Sequence, residues 1–92
     1  PNAFSPNFDG VNDYFMLQDE GDVVDVRYLR VYSRWGERVF ERSGFLPNTI
    51  EDAWDGTFRG ERMNPGVYTW LAEILFRDGT VEQRAGAVHL IR

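Results

Sequence analysis

Apolar and polar residues alternate along two stretches of the chain, and a period of two is typical of strands that bury one face. In residues 26–33, Leu29 and Val31 lie on one side, whereas two tyrosines and an arginine lie on the other. In residues 67–76 every even position is apolar and the odd positions are mixed. Leu, Ala and Glu also suit a helix, but the alternation, the aromatic residues and the flanking turns favour a strand.

Turn residues separate these runs from shorter ones. Gly36 divides residues 31–40 into an expected hairpin, because glycine readily takes a positive φ. Asp78 and Gly79 predict a second hairpin, in which residues 80–84 pair back onto the long apolar run.

Shorter strands and loops fill the rest of the chain. The turn signals place further strands at residues 14–17, 38–41, 54–58 and 87–91, with a loop at 43–52 and a turn at 60–64. About seven short strands in so short a chain predict an all-β fold, an Ig-like antiparallel β-sandwich. No helix longer than one or two turns is expected.

Length and composition suit one module without a membrane or nucleic-acid partner. The chain has 92 residues, which fits a single domain spanning residues 1–92. The net charge of -5 argues against nucleic-acid binding. No apolar stretch approaches the roughly 20 residues that a membrane-spanning helix needs. The chain has no cysteine and therefore no disulfide framework. We expect the isolated domain to be a monomer.

Residues suited to catalysis are sparse. His89 is the one histidine, and a lone histidine in a strand is more often a half-buried or edge residue than a general base. The serines have no histidine near them in sequence, and zinc would need a cluster of Cys or His. The 15 acidic residues allow a glycosidase-like pair, but a compact sandwich leaves little room for its cleft. We therefore expect no enzyme and no required cofactor.

One loop suits a hard cation. Around Gly10 it carries four oxygen-bearing side chains, those of Asn7, Asp9, Asn12 and Asp13. Ca²⁺ takes about six to eight oxygen ligands of these kinds, and the loop partly resembles an EF-hand. The position of the closing glutamate is Met16, however, and Asn and Asp also cap ordinary turns. Calcium binding and turn capping both stay open.

Two tryptophans invite a functional interpretation. Trp35 and Trp54 are candidates for stacking on sugars, since an indole ring is large, flat and amphipathic. Each also lies beside a turn glycine, where it would fill one end of a thin core. We expect the core role for both.

Four segments occur in a fixed order: PNAFSPNFDGVND at residues 1–13, LRVYSRWGERVF at 29–40, WDGTFRGERMNPGVYTW at 54–70 and AVHLIR at 87–92. Together they resemble the gliding-motility-associated C-terminal domain of Bacteroidetes, also called the type B sorting domain of type IX secretion. The WDG…G…PGVY pattern is also similar to bacterial Ig-like domains related to the flagellar-hook capping protein. The family usually has glycine in place of Phe8, a departure that weighs against calcium.

The resemblance implies a non-catalytic sandwich at the extreme C-terminus of a large secreted or surface protein, with Arg92 as its native end. It implies that the outer-membrane type IX translocon and a dedicated helper protein read the domain after the parent has entered the periplasm. The expected destination is the cell surface or the exterior. The alternative function is an Ig-like adhesive or carbohydrate-binding surface module.

A sorting domain must present one constant surface on many passengers, either an exposed apolar patch or a free sheet edge. If Leu29 and Val31 face the core, Tyr28 and Tyr32 face outward. If the even positions of residues 67–76 face the core, Leu71 and Leu75 face outward as well. We call these four residues the outer stripe and expect it to dock on the translocon. A covering loop or ordinary surface apolarity are the alternatives. The final strand, with His89 and Arg92, is the candidate free edge.

Overall fold

Every regular element in the described part of the chain is a strand. The computed structural model describes residues 3–6, 13–16, 21–49 and 52–92. Seven strands follow in chain order: β1 (Ala3–Phe4), β2 (Val23–Tyr32), β3 (Arg38–Phe45), β4 (Thr57–Phe58), β5 (Glu61–Arg62), β6 (Gly66–Phe76) and β7 (Val81–Leu90). The predicted all-β class and the strand at residues 67–76 are confirmed.

Five of the strands form one sheet in the order β1-β7-β6-β2-β3. The pairings among β7, β6, β2 and β3 are antiparallel. The short β1 instead runs parallel to the end of β7, with Ala3 opposite His89 and Phe4 opposite Leu90. The sheet is therefore mixed, and β1 alone departs from the antiparallel pattern that we expected.

A smaller layer covers one face of this sheet. β4 and β5 form a two-stranded ribbon, and Phe15 bridges Trp54 through backbone hydrogen bonds of 2.8 Å in both directions. The Trp54 indole packs on Phe4 and Tyr68, with ring centroids 5.4 and 5.0 Å away. Two layers around one core are consistent with an Ig-like sandwich. We call the covered face of the five-stranded sheet the inner face and the opposite one the outer face.

Both predicted hairpins form. Gly36 turns β2 into β3 with a φ of 83°. Between β6 and β7, Gly79 takes a φ of 88° and donates its N–H to the carbonyl of Phe76 at 2.9 Å. Asp78 holds this turn, because its carboxylate accepts hydrogen bonds from both the backbone N–H and the hydroxyl of Thr80.

The C-terminal region forms one strand, and the expectation of two strands at residues 80–84 and 87–91 is wrong. Ala85, Gly86 and Ala87 carry no alternation that a sequence pattern can detect. Their backbones nonetheless continue the ladder with β6, where Gly86 lies opposite Trp70. β7 therefore runs unbroken from Val81 to Leu90.

Three smaller expectations need correction. β3 extends to Phe45, beyond the predicted residues 38–41, because β2 continues to pair with it as far as Val26. The predicted turn at residues 60–64 contains β5. Of the strand expected at residues 14–17, the described part makes one bridge through Phe15, and Leu17 lies outside the described residues.

The core lies between the inner face and the covering layer. Its large fully buried side chains come from both, namely Trp54, Phe4, Leu29, Leu90, Val26, Val31 and Val88. The expected core role is confirmed for Trp54, which is 0% exposed. It is wrong for Trp35, which is 86% exposed, because the β2–β3 turn carries this side chain beyond the end of the core.

Candidate functional site

The outer stripe lies on the outer face, where β2 and β6 bring its four members together. Tyr28 lies opposite Glu73, so that Leu71 and Leu75 are its diagonal neighbours on the same face. Tyr32 lies opposite Thr69 and is diagonal to Leu71. All four side chains of the stripe are half-buried. Sequence periodicity therefore placed them on the correct face.

Charged side chains cross the outer stripe. Arg30, which lies opposite Leu71, places its guanidinium carbon 4.1 Å from the centroid of the Tyr28 ring. Its Nε donates a hydrogen bond of 2.6 Å to Glu41 on β3. The arginine therefore covers part of the aromatic surface through a cation–π contact. The outer stripe is amphipathic rather than purely apolar.

Ion pairs fix these charges in place. Glu41 also lies 3.4 Å from Arg38, and the hydrogen bond from Arg30 lowers the pKa of its carboxyl group. Glu73, between the two leucines of β6, pairs with Arg27 at 3.2 Å. Exposed pairs of this kind add little stability, but they orient the side chains around the stripe.

β7 extends the apolar surface beyond the four residues that the sequence indicated. Val81 lies opposite Leu75 and is 49% exposed, and Ala85 lies opposite Leu71 and is also exposed. Gln83 donates a hydrogen bond of 3.4 Å to the Tyr28 hydroxyl. No apolar alternation in the sequence marks this extension, because the polar Gln83 separates Val81 from Ala85, and it follows only from the pairing of β7 with β6.

The final strand is a sheet edge along only part of its length. β1 covers β7 at His89 and Leu90, so the expectation of an edge at His89 is wrong for the backbone, although its side chain is exposed. Residues 81–88 pair only with β6 within the part of the chain that the structure describes. Arg92 does not extend the edge, because its guanidinium donates to the carbonyls of Met63 and Gly56 at 3.0 Å.

Comparison with known families decides what kind of domain presents this surface. A model described as the CHU_C type IX secretion signal domain matches residues 1–90. The chain belongs to this family. No curated protein matches it. Family membership confirms the resemblance to a C-terminal sorting domain and makes the chain a secretion signal whose parent is secreted or surface-exposed.

The calcium hypothesis falls mostly on parts of the signal domain that are not described. Asn7, Asp9 and Asn12 lie outside the described residues, and Asp13 is buried. Among the residues that are described, no group of three or more His, Cys, Asp or Glu could hold a metal ion. Calcium binding at this loop therefore stays a prediction.

No helix in the described ranges of the signal domain is long and apolar enough to cross a membrane. Its one histidine, His89, is exposed on the outer face, opposite Val67 of β6. The described surfaces that are accessible to a partner are the outer stripe, the edge of β7 and the exposed Trp35.

Proposed function

We propose that the signal domain directs a large parent protein through the type IX system, via the periplasm and the outer membrane, to the cell surface or the exterior. The observation that carries this proposal is the family match across residues 1–90. A sandwich with its core sealed between two layers suits this role, since such a module can fold in the same way behind different passengers.

The outer stripe is the proposed docking surface for the outer-membrane translocon and a dedicated helper protein. Aromatic side chains and arginine are enriched at the energetic centres of protein interfaces. Tyr28, Arg30 and Tyr32 supply both on adjacent alternate positions of one strand. Leu71 and Leu75 add an apolar surface, and the fixed ion pairs around them provide a polar rim.

A second candidate function is an Ig-like adhesive or carbohydrate-binding surface module, and one observation favours it. Trp35 is 86% exposed at the tip of a turn, where its ring is accessible to a ligand. Position in the parent discriminates the two functions. A sorting domain occurs once at the C-terminus, whereas binding modules occur within the chain or as tandem copies.

Export of a reporter tests the proposed function. The chain is fused behind a signal peptide and a fluorescent protein, in a type IX host that also carries the genes neighbouring the parent gene. We expect the reporter outside the cell. A reporter that remains in the periplasm would contradict the sorting role.

Point substitutions test the docking surface separately from folding. We expect combined serine substitutions of the outer stripe to reduce export while the domain stays folded: Tyr28→Ser, Tyr32→Ser, Leu71→Ser and Leu75→Ser. Leu46→Ser is the matched control, because Leu46 is 58% exposed and lies outside both sheets. Deleting residues 87–92 should also abolish export, but it removes buried Val88 and Leu90 and therefore unfolds the domain as well. Normal export of a folded quadruple variant would refute stripe docking and leave the sorting role standing.

A further inference from the structure

A groove at one end of the domain has the exposed indole of Trp35 as one wall. The turn that carries Trp35 is internally hydrogen-bonded. The N–H of Ser33 donates to the carbonyl of Glu37 at 2.8 Å, and that of Gly36 donates to the carbonyl of Ser33 at 3.0 Å. The Ser33 hydroxyl oxygen accepts two more bonds, from the N–H groups of Trp35 and Glu37. The indole therefore stands on a rigid support rather than on a loose loop.

The segment that leads into β6 forms the opposite wall. The Tyr68 hydroxyl donates to the Asn64 carbonyl at 2.7 Å. The N–H of Met63 donates to the Gly56 carbonyl at 2.9 Å, while its own carbonyl accepts from Arg92 at 3.0 Å. These hydrogen bonds hold both walls in place before any ligand binds, which reduces the conformational entropy lost on binding.

The size and the lining of the groove define the chemistry of its occupant. Its volume of about 420 Å³ lies within the range of small-ligand sites, roughly 300–1,000 Å³. Apolar surface comes from Trp35, Met63 and Val67. Arg34 offers hydrogen-bond donors and Glu37 offers acceptors, so that the lining contains one cation and one anion. These charges balance and favour a neutral, polar ligand over an acidic or basic peptide.

Arg34 also reaches across the groove. A Cβ atom placed on Gly66 would lie 3.4 Å from its guanidinium Nη2, so the glycine leaves room for this side chain on the far wall. A hydrogen-bond donor opposite a flat aromatic ring matches a pyranose sugar, which has an apolar C–H face and hydroxyl groups around its rim.

We propose that the groove between Trp35 and residues 63–67 binds one or two residues of a neutral glycan. The sugar ring stacks on the indole of Trp35, while Arg34, Glu37 and Asn64 hydrogen-bond its hydroxyls. The groove is separate from the outer stripe, because none of the four stripe residues lines it. The proposal rests on the second candidate function, carbohydrate binding, and is independent of the docking surface. Trp54 has no part in it, since the core fully encloses its ring.

NMR titration of the chain with cellohexaose, chitohexaose and maltohexaose tests the proposal. The indole N–H signals separate Trp35 from the buried Trp54, which serves as an internal reference. We expect at least one of these sugars to shift the Trp35 signal saturably, with no shift at Trp54. Trp35→Ala should weaken binding at least about tenfold, a loss of about 1.4 kcal/mol. Leu46→Ala, which changes an exposed side chain outside the groove, should bind as the unaltered chain does.

Two results would overturn the glycan assignment. One is the absence of any shift at Trp35 up to about 10 mM of each sugar, a concentration above a millimolar Kd. The other is a folded Trp35→Ala variant that binds a sugar as tightly as the unaltered chain does, which would place any glycan site away from the Trp35 indole. Neither result would reflect unfolding of the variant, because the exposed Trp35 side chain contributes almost nothing to the core.

Discussion

The two faces of the five-stranded sheet share the same backbones, yet they differ in how completely their side chains leave water. On the inner face, Leu29, Ala72 and Val88 are fully enclosed by the layer that contains Trp54. On the outer face, Tyr28 and Leu71 are half-buried, and ion pairs surround them. Apolar burial stabilises the fold roughly in proportion to the area removed from water, so the inner face carries most of the stability.

This difference separates folding from the proposed docking surface within one sheet. Side chains of a strand alternate between the faces, so a substitution on the outer face changes the surface without opening the core. A secretion signal benefits from that separation, because it has to fold behind many passengers while it presents an accessible surface. Inner-face substitutions should therefore act on stability, and outer-face substitutions should act on export.

The largest expected effect comes from removing the residue that closes the inner face. Trp54→Ala removes a fully buried indole together with its 2.9 Å hydrogen bond to the Thr57 carbonyl. Buried Trp→Ala changes cost about 3–5 kcal/mol, which lowers the melting temperature of a small domain by more than about 12 °C. Trp35→Ala is the matched control and should shift it by less than about 3 °C. Similar losses in both variants would contradict the assigned burial.

The sequence predicted which face of a strand each side chain occupies better than it predicted how far the strands pair with one another. Leu29 and Val31 were placed correctly because period-two alternation follows directly from strand geometry. Ala85, Gly86 and Ala87 carry no such pattern. The continuity of β7 depends on its pairing with β6, and therefore could not be predicted from the local sequence. The local sequence around Trp35 equally suits a side chain that fills one end of the core. Only the path of the β2–β3 turn determines that the Trp35 side chain is exposed.

The covering layer also contains the described part of the predicted calcium loop, and metal binding there would strengthen the inner face. Asp13 is buried two positions before Phe15, which packs 5.9 Å from Trp70. If Asp9 and Asp13 bind Ca²⁺, a concentration of about 100 times Kd stabilises the fold by about 2.7 kcal/mol. We expect a higher melting temperature in millimolar calcium than in chelator, and a smaller difference for Asp13→Asn. Equal melting temperatures would leave turn capping as the explanation of the loop.

A close approach between β7 and an inner-face ring predicts an intermediate effect. A Cβ atom on Gly86 would lie 2.8 Å from the Nε1 atom of Trp70, closer than real Cβ contacts allow. Gly86→Ala should therefore destabilise the domain by about 1–3 kcal/mol, measured by denaturant unfolding. Ala87→Ser, on the outer face of the same strand, should change stability by less than about 0.5 kcal/mol.

A double variant checks the cause of that loss. In a Trp70→Val background the large ring is absent, so Gly86→Ala should cost much less than in the unaltered chain. An equal cost in both backgrounds would mean that the strand backbone, rather than contact with the indole, disfavours alanine at this position.

The smallest effect concerns Tyr68, a buried inner-face residue whose hydroxyl donates to the Asn64 carbonyl at 2.7 Å. Burial raises the pKa of this phenol above its ordinary value of 10.0. Because the folded state favours the neutral form, this contribution to stability is complete below about pH 10 and is lost as the pH rises through the raised pKa.

Tyr68→Phe should cost about 1 kcal/mol at neutral pH through the lost hydrogen bond. Denaturant unfolding between about pH 9 and pH 11 should show the unaltered chain losing its advantage over Tyr68→Phe as the phenol ionises. A constant difference between the two chains over that range would mean that Tyr68 does not ionise differently in the folded and unfolded states.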